Sequence, residues 1–181
     1  FQRRLFWTWL LAGGSTNYGG RWWVVHPYTL TGRRSSPSAH RSAEPPVFSK
    51  PLVGLDSVRF IRDYFPARGL DLSRFTPDSV VARDADGRTG AYAPKLTRRG
   101  HDEFLAYHPN ATSADKTARV DATKPARLRL DLTAAPGRFA VEWFRPHDGI
   151  ATPAPALDGG RIVELTAPWP GHAAVLWLQQ R

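Results

Sequence analysis

Few residues in this chain combine a reactive type with a spacing that would bring them together. His101-Asp102-Glu103 offers three metal-ligating side chains in a row. Adjacent residues of a strand point to opposite faces of a sheet, so a solvated turn is favoured over a metal cluster. Because the chain has no cysteine, disulfides and thiolate zinc sites are excluded. We therefore predict no metal site and no cofactor.

Three other histidines are candidates for acid–base chemistry, a common role of this side chain. His26 stands beside Pro27 in an apolar run, where a hydrogen-bonded structural histidine is favoured over a catalytic one. His108 and His147 each border a turn that contains proline. We predict no catalytic residue among the three.

The net charge of +9 would suit a protein that binds the phosphates of a nucleic acid. All but four of the 25 basic residues are arginines, which together with abundant alanine and proline indicates a genome-wide compositional bias. The positive excess is concentrated before the first acidic residue, Glu44. This positive charge would be neutralised if the rest of a larger protein supplied carboxylates close to it. We predict no nucleic-acid partner and keep a basic nucleic-acid-binding domain as the weakest alternative.

The segment from Leu5 to Trp23 holds four of the seven tryptophans. It predicts a helix that is apolar on every side and runs into a loop of glycines and aromatic residues. Such a helix must be covered on every side, and the chain opens on it with no initiator methionine and no preceding element. We therefore expect the C-terminal piece of a larger protein. The apolar run is shorter than the roughly 20 residues that cross a bilayer, so we predict no membrane segment.

One more helix and then only strands are predicted after this segment. Residues 32–51 have the composition of a loop or linker. From Leu55 to Phe65 apolar residues recur every three or four positions, which predicts an amphipathic helix that Pro66 and Gly69 end. Beyond Phe75, apolar and polar residues alternate with a period of two residues, which predicts β strands. The predicted strands are Ser79 to Arg83, Pro94 to Arg98, Glu103 to His108, Arg127 to Leu132, Arg138 to Phe144, Arg161 to Thr166 and His172 to Gln179.

Turn signals separate these strands. They are Asp86-Gly87, Pro109-Asn110, Pro136-Gly137, Asp148-Gly149 and Asp158-Gly159-Gly160. Short strands at this spacing predict an antiparallel sandwich of seven or eight strands. A domain boundary near residue 74 follows.

Several spaced motifs carry a resemblance to a known family. Arg3-Arg4-x-Phe6-Trp7-x-x-Leu10-Leu11-Ala12-Gly13-Gly14-x-x-x-Tyr18-Gly19-Gly20-x-Trp22 resembles the last βα units of the apiosidase-like glycoside hydrolases, a (β/α)8 barrel family also labelled collagenase. The tail is similar to the small C-terminal β domain of that family, which is labelled collagen-binding. The residues that carry this second similarity are Pro77-Asp78, Phe104-Leu105-Ala106-Tyr107-x-Pro109-Asn110, Trp143-Phe144-x-Pro146-x-x-Gly149 and Leu165-Thr166-Ala167-Pro168.

The resemblance implies an α+β chain in two parts. Residues 1–74 would be the C-terminal remnant of the barrel, including the loop at 32–51, and residues 75–181 the β sandwich. Residues 1–13 would form the helix before the eighth barrel strand, and Ser15 to Tyr18 the strand itself. Gly19 to Tyr28 would be the loop at its C-terminal end, where such barrels hold their active sites.

The same resemblance implies a sugar pocket lined by this loop. Its substrate-binding residues would be Tyr18, Arg21, Trp22, Trp23 and His26, with aromatic rings stacked on the sugar and Arg21 donating hydrogen bonds. Packing at the barrel end is the alternative role of these aromatics. Glycoside hydrolysis needs two carboxyl groups, which in the family lie on earlier strands. No Asp or Glu precedes Glu44, so we expect this chain alone to be catalytically silent.

Two functions follow as hypotheses. The leading one is the C-terminal part of a secreted or periplasmic bacterial glycoside-hydrolase-like protein. Its sandwich would be a structural accessory packed on the barrel, and the barrel would bind the carbohydrate substrate. The alternative is a module that binds collagen or a polysaccharide through exposed aromatic residues. Trp169 is a candidate for such a platform, although an interdomain contact is the favoured role for it.

Three positions in the β region receive more specific predictions. Trp143 and Phe144 are neighbours on one strand, so one side chain would enter the core while the other packs towards the barrel. Asp78 is predicted to bracket the entry to the β domain. Asn110-Ala111-Thr112 matches a glycosylation sequon, which we treat as chance.

Overall fold

The computed structural model describes residues 2–15, 53–90, 93–111 and 122–181. Two helices, α1 (Gln2–Leu11) and α2 (Val53–Tyr64), precede nine strands. The strands are β1 (Thr76–Pro77), β2 (Ala82–Asp84), β3 (Lys95–Arg99), β4 (Glu103–His108), β5 (Pro125–Asp131), β6 (Arg138–Arg145), β7 (Ile150–Asp158), β8 (Ile162–Pro170) and β9 (Ala174–Gln180).

The strands form two antiparallel sheets. A six-stranded sheet has the order β1-β3-β4-β9-β6-β7, and a three-stranded sheet has the order β2-β5-β8. Each of the seven predicted strands overlaps an observed one. The prediction missed β1 and β7, so the observed number of strands is nine rather than seven or eight. A fold of mostly antiparallel sheets with few helices is confirmed.

The first apolar core lies between the two sheets. The side chains of β6 alternate, with Phe139, Val141 and Trp143 pointing into this core. The facing residues of the smaller sheet include Leu128 and Leu130 of β5, both fully buried. The alternation predicted for Arg127 to Leu132 is therefore confirmed, with the arginines on the opposite side.

A second apolar core covers the outer face of the six-stranded sheet. Here α1 and α2 pack on Leu105 and Tyr107 of β4, Phe144 of β6 and Val175 of β9. Trp7 of α1 is fully buried, and its ring lies 5.2 Å from that of Tyr64. The rings of Tyr107 and Phe144 lie 6.1 and 6.0 Å from the Trp7 ring. Trp143 and Phe144 thus enter different cores, as their alternation predicts.

The helix ends and tight turns follow the local sequence signals. After α2 a 3₁₀ turn at Pro66–Arg68 leads to Gly69, which has a left-handed φ of 63° and donates its N–H to the Pro66 carbonyl. The glycines of the predicted turns at Gly87, Gly137, Gly149 and Gly160 also have positive φ. Only glycine reaches this region at little cost, so these turns are encoded locally.

Prolines lie on the edge strands of both sheets. β7 is an edge of the larger sheet and carries Pro153 and Pro155, and β8 is an edge of the smaller one and carries Pro168 and Pro170. Proline has no N–H to donate and is found in sheets mainly at such edges. The alternating prolines explain why β7 was missed, because proline in an apolar run argues against a strand.

A buried polar network joins the two sheets at one end. His108 at the end of β4 and Asp84 at the end of β2 are both buried, with 3.0 Å between Nε2 and Oδ2. The backbone N–H of Asn110 donates to Nδ1 of His108 over 2.9 Å. Because Nδ1 accepts this bond, the ring proton sits on Nε2, which donates it to Asp84.

Asn110 completes the network with its own side chain. Its amide nitrogen donates to the carbonyl oxygens of Lys124 and His172, and its oxygen accepts from Arg88. Its φ of 47° is left-handed, which asparagine tolerates better than most residues. The side chain is fully buried and its hydrogen-bonding groups are used, so this sequon position is closed to a glycan.

Opposing effects act on the pKa of Asp84. Burial raises it, whereas the hydrogen bonds from His108 and the Asp86 amide and the charge of Arg88 lower it, and the net shift is downward. The ionised carboxylate is therefore the form that the folded chain holds.

The predicted boundary near residue 74 stays a prediction, but the second core includes residues from both sides of it. Asp78 has the structural role expected of it, since it accepts from the Val80 amide and pairs with Arg98 at 2.8 Å. The linker predicted at residues 32–51 lies outside the described residues. Within the described ranges, neither helix is long and apolar enough to cross a membrane.

We expect Trp7→Ala to lower the free energy of unfolding by about 3 to 5 kcal/mol, because it removes a fully buried indole from the second core. Urea unfolding followed by circular dichroism measures the loss. Trp9→Ala is the matched control: Trp9 is 53% exposed on the same helix, so its loss should cost about 1 kcal/mol or less. Equal effects of the two substitutions would show that α1 does not pack on the sheet.

We expect Asp84→Asn to destabilise the chain by about 1 to 3 kcal/mol at neutral pH, because the buried network loses its charged acceptor. Since the folded pKa of Asp84 is lowered, its contribution is fully present above the unfolded value of about 3.9 and is lost as the pH falls through the folded pKa. Wild type should therefore lose more stability on acidification than the variant.

Thermal unfolding across the acid range measures this difference between the two proteins. Asp158→Asn is the control, because its side chain is 69% exposed and lies 3.8 Å from Arg138. Parallel acid profiles of wild type and Asp84→Asn would contradict the assignment.

Candidate functional site

The predicted sugar-binding residues lie outside the described residues. They are Tyr18, Arg21, Trp22, Trp23 and His26. The predicted barrel strand lies there too, except for Ser15, which belongs to no helix or strand. Their roles stay predictions. The described chain leads into this segment at the C-terminal end of α1 and returns from it at the start of α2.

Helix α1 presents an apolar outer face. Leu5 and Trp9 lie one turn apart on the same side of the helix and are 40% and 53% exposed. The Trp9 ring covers Gly14, where a Cβ atom would stand 2.7 Å from the ring. The sequence predicts an apolar helix covered on every side. Within the described chain, Phe6, Trp7 and Leu11 are buried, whereas the outer face of Leu5 and Trp9 is not.

A polar cluster ties α1 to one end of the sandwich. Arg3 donates to Nδ1 of His147 over 3.2 Å, and the rings of His147 and His172 stack with centroids 5.2 Å apart. Below them Gly149 lies against Phe60 of α2, so that a Cβ atom at this glycine would meet the ring at 2.7 Å. The turn after β6 and the start of β9 thus support both helices.

Arg145 and Asp148 form an ion pair within this cluster. Arg145 binds both oxygens of Asp148, with Nε 2.8 Å from Oδ1 and a terminal nitrogen 2.7 Å from Oδ2. Burial raises the pKa of Asp148, but the hydrogen bond and charge of Arg145 outweigh it and lower the pKa overall. The pKa of His172 is lowered by its burial and by the nearby Arg145 and His147. His172 is therefore uncharged at neutral pH and stacks on His147 without repulsion.

This cluster does not provide the groups that hydrolyse a glycoside. It contains one carboxylate, and that carboxylate is held on both oxygens by Arg145, whereas the reaction needs two carboxyl groups across the bond. Among the residues that the structure describes, no group of three or more His, Asp or Glu side chains could hold a metal ion. The geometry of the cluster therefore favours a structural role.

Sequence reasoning missed this cluster because its members meet only through strand pairing. Phe144 of β6 lies opposite Val175 of β9, which brings the turn after β6 next to the turn before β9. His147 and His172 are separated by 25 positions, and no local motif joins them. The buried Asp84, His108 and Asn110 were missed for the same reason.

Two expectations for single residues are wrong. Trp169 was a candidate for an exposed sugar-stacking platform, but it is only 7% exposed in the sandwich core, with the Arg145 guanidinium 5.2 Å from its ring. Glu103 was placed in a solvated turn. It is the first residue of β4 and 2% exposed, and it accepts from Trp177 Nε1 over 2.9 Å while Arg99 lies 2.8 Å away.

The fold is similar to parts of two solved glycoside hydrolases. A glycoside hydrolase family 5 protein from Bacteroides vulgatus is 16% identical and matches 70% of this chain and 24% of its own, with a TM-score of 0.52. Another protein, described as a glycoside hydrolase, is 13% identical and matches 77% of this chain and 30% of its own, with a TM-score of 0.52.

No protein-family model matches the chain, and no curated protein is significantly similar to it in sequence. The chain spans less than a third of the length of either structural neighbour. At these identities the similarity establishes a shared fold, and that fold occurs within glycoside hydrolases.

Proposed function

We propose that this chain is the C-terminal part of a glycoside-hydrolase-like protein, in which the residues before 75 complete a (β/α)8 barrel and the β sandwich is a structural accessory packed on that barrel. One observation carries the proposal: α1 is fixed to the sandwich by Trp7 and still exposes Leu5 and Trp9 on its other side. An exposed apolar helix face that is not part of the core marks a surface on which another protein segment can pack. The structural neighbours, which are glycoside hydrolases of which this chain matches only 24% and 30%, support this reading.

The finer parts of the proposal concern the barrel and its substrate. Residues 1–74 would be the last part of an apiosidase-like barrel, and residues 75–181 the β domain labelled collagen-binding in that family. Tyr18, Arg21, Trp22, Trp23 and His26 would line the sugar pocket of the complete barrel. The catalytic carboxylates would come from other strands, and the protein would act outside the cytoplasm.

The alternative of a binding module has less support. Neutral polysaccharides are usually bound by exposed aromatic rings, yet Trp143 and Trp169 are buried. In the described part of the sandwich, the exposed large apolar residues are Val80, Ile150 and Ile162, with no aromatic residue among them. The structure offers no aromatic platform in this region for collagen or cellulose.

We expect the chain as it stands to hydrolyse no glycoside and to pass unretained through collagen and cellulose columns. Release of nitrophenol from nitrophenyl glycosides and column elution volumes test both points. The intact chain should be used in these assays. Removal of the helices would expose the apolar side chains of Leu105, Tyr107 and Phe144, which would adsorb non-specifically to the columns. Hydrolysis at an enzymatic rate would disprove the accessory role, and retention on either column would favour the binding module.

We expect the outer face of α1 to mediate binding to the barrel. The barrel region encoded upstream in the same reading frame, expressed separately, should bind the chain, and Leu5→Gln or Trp9→Ser should weaken that binding about tenfold or more. Isothermal titration measures the affinity. Val80→Gln is the control, since Val80 is 72% exposed but lies in the turn before β2, beside the three-stranded sheet. Equal binding by all variants, or an upstream frame that encodes no barrel, would contradict the proposal.

A further inference from the structure

The outer face of the three-stranded sheet carries a pair of arginines in an unusual position. Arg83 of β2 and Arg129 of β5 are direct partners in the antiparallel register, and both are exposed. Side chains at such positions start only about 5 Å apart. Two like charges placed opposite each other destabilise a sheet and favour a nearby anion. On its other side Arg129 has Glu164 of β8 as register partner, so the sheet itself offsets part of this charge.

Two neighbouring arginines, Arg127 of β5 and Arg88 in the segment after β2, have carboxylate partners. Arg127 pairs with Asp86 at 2.7 Å and with Glu164 at 3.4 Å, and Arg88 pairs with Asp86 at 3.1 Å. Within the described part of the chain, no carboxylate lies within 4.0 Å of Arg83 or Arg129. The two guanidinium groups are therefore available to an outside ligand.

The arginines line a groove with a mixed surface. Its volume is about 290 Å³, and Val80, Val81, Asp131 and Ile162 form the rest of its lining. Val80 is 72% exposed and Ile162 is 47% exposed, which gives apolar contacts beside the charges. The volume lies at the small end of the range for ligand sites and suits a single ring.

Asp131 supplies a hydrogen-bond acceptor within this groove. Its Oδ1 accepts from the backbone and hydroxyl of Thr133 at 3.1 and 2.6 Å, which leaves Oδ2 for another donor. The pKa of Asp131 is lowered first by Thr133 and further by the charges of Arg129 and Arg83. The positive charges of both arginines therefore reach the part of the groove next to this carboxylate.

From this set of groups we infer that the groove binds a uronic-acid unit of an acidic polysaccharide. The two guanidinium groups hold the sugar carboxylate, since the arginine fork matches a carboxylate in geometry and charge. Asp131 accepts a ring hydroxyl, and Val80 and Ile162 contact the apolar face of the ring. A nucleic acid fits less well, because the groove is short, contains a carboxylate and has no aromatic residue for base stacking.

This inference does not depend on the accessory role proposed above. The groove lies on the smaller sheet, whereas α1 and α2 cover the outer face of the larger one. Failure of uronate binding would leave the packing of the barrel on α1 untouched. Uronate binding would equally survive a loss of that packing.

The test is titration of the intact chain with trigalacturonate, with the neutral galactose trimer as the uncharged comparison. Wild type should bind only the acidic trimer, and Arg83→Gln or Arg129→Gln should each weaken binding about tenfold or more. Arg129→Lys keeps the positive charge but lacks the planar guanidinium that binds both carboxylate oxygens, so we expect an intermediate loss of affinity. Arg161→Gln is the control because the side chain of this exposed arginine makes a single hydrogen bond among the described residues, to the Asp158 carbonyl at 3.4 Å.

The variants should fold, because each glutamine relieves a like-charge contact; their melting temperatures should equal or exceed that of wild type. Absence of binding, equal binding of the neutral trimer, or an equal loss in Arg161→Gln would overturn the inference. A DNA duplex that competes as well as the trimer would also overturn it, since it would show a general attraction for polyanions.

Discussion

The six-stranded sheet needs cover on both faces, and the rest of the structure follows from that constraint. All six residues of β4 are buried, with Phe104 and Ala106 facing the smaller sheet and Leu105 and Tyr107 facing the helices. One face is closed by β2, β5 and β8, and the other by α1 and α2. The helices are therefore a structural layer of this unit, whatever role the first of them has in a larger barrel.

Local signals predicted most of the fold. The two-residue period found β5 and β6, the three-to-four-residue period found α2, and the glycines marked the turns. The prediction failed where the chain departs from local preference: β7 contains prolines that only an edge strand tolerates. The burial of Trp169 in the sandwich core could not be read from its flanking prolines either, because it depends on the packing of the two sheets.

The polar contacts could not be predicted from local patterns. His108 and Asp84 are 24 positions apart and belong to different sheets. Their contact depends on how two strands end, which no spacing along the chain reveals. Composition does not reveal which arginines have partners: Arg68, Arg98 and Arg145 are each matched to a nearby carboxylate. Arg83 and Arg129 stand out only once the register of β2 and β5 is known.

The prolines of β7 and β8 restrict how this unit meets other proteins. A partner that adds an extended segment to a sheet relies on main-chain donors along a free edge, and two prolines on each strand remove some of those donors. Recruitment by β-strand addition is therefore hindered at the middle of β7 and at the end of β8. Copies of this unit brought close together would be hindered from pairing edge to edge at these prolines.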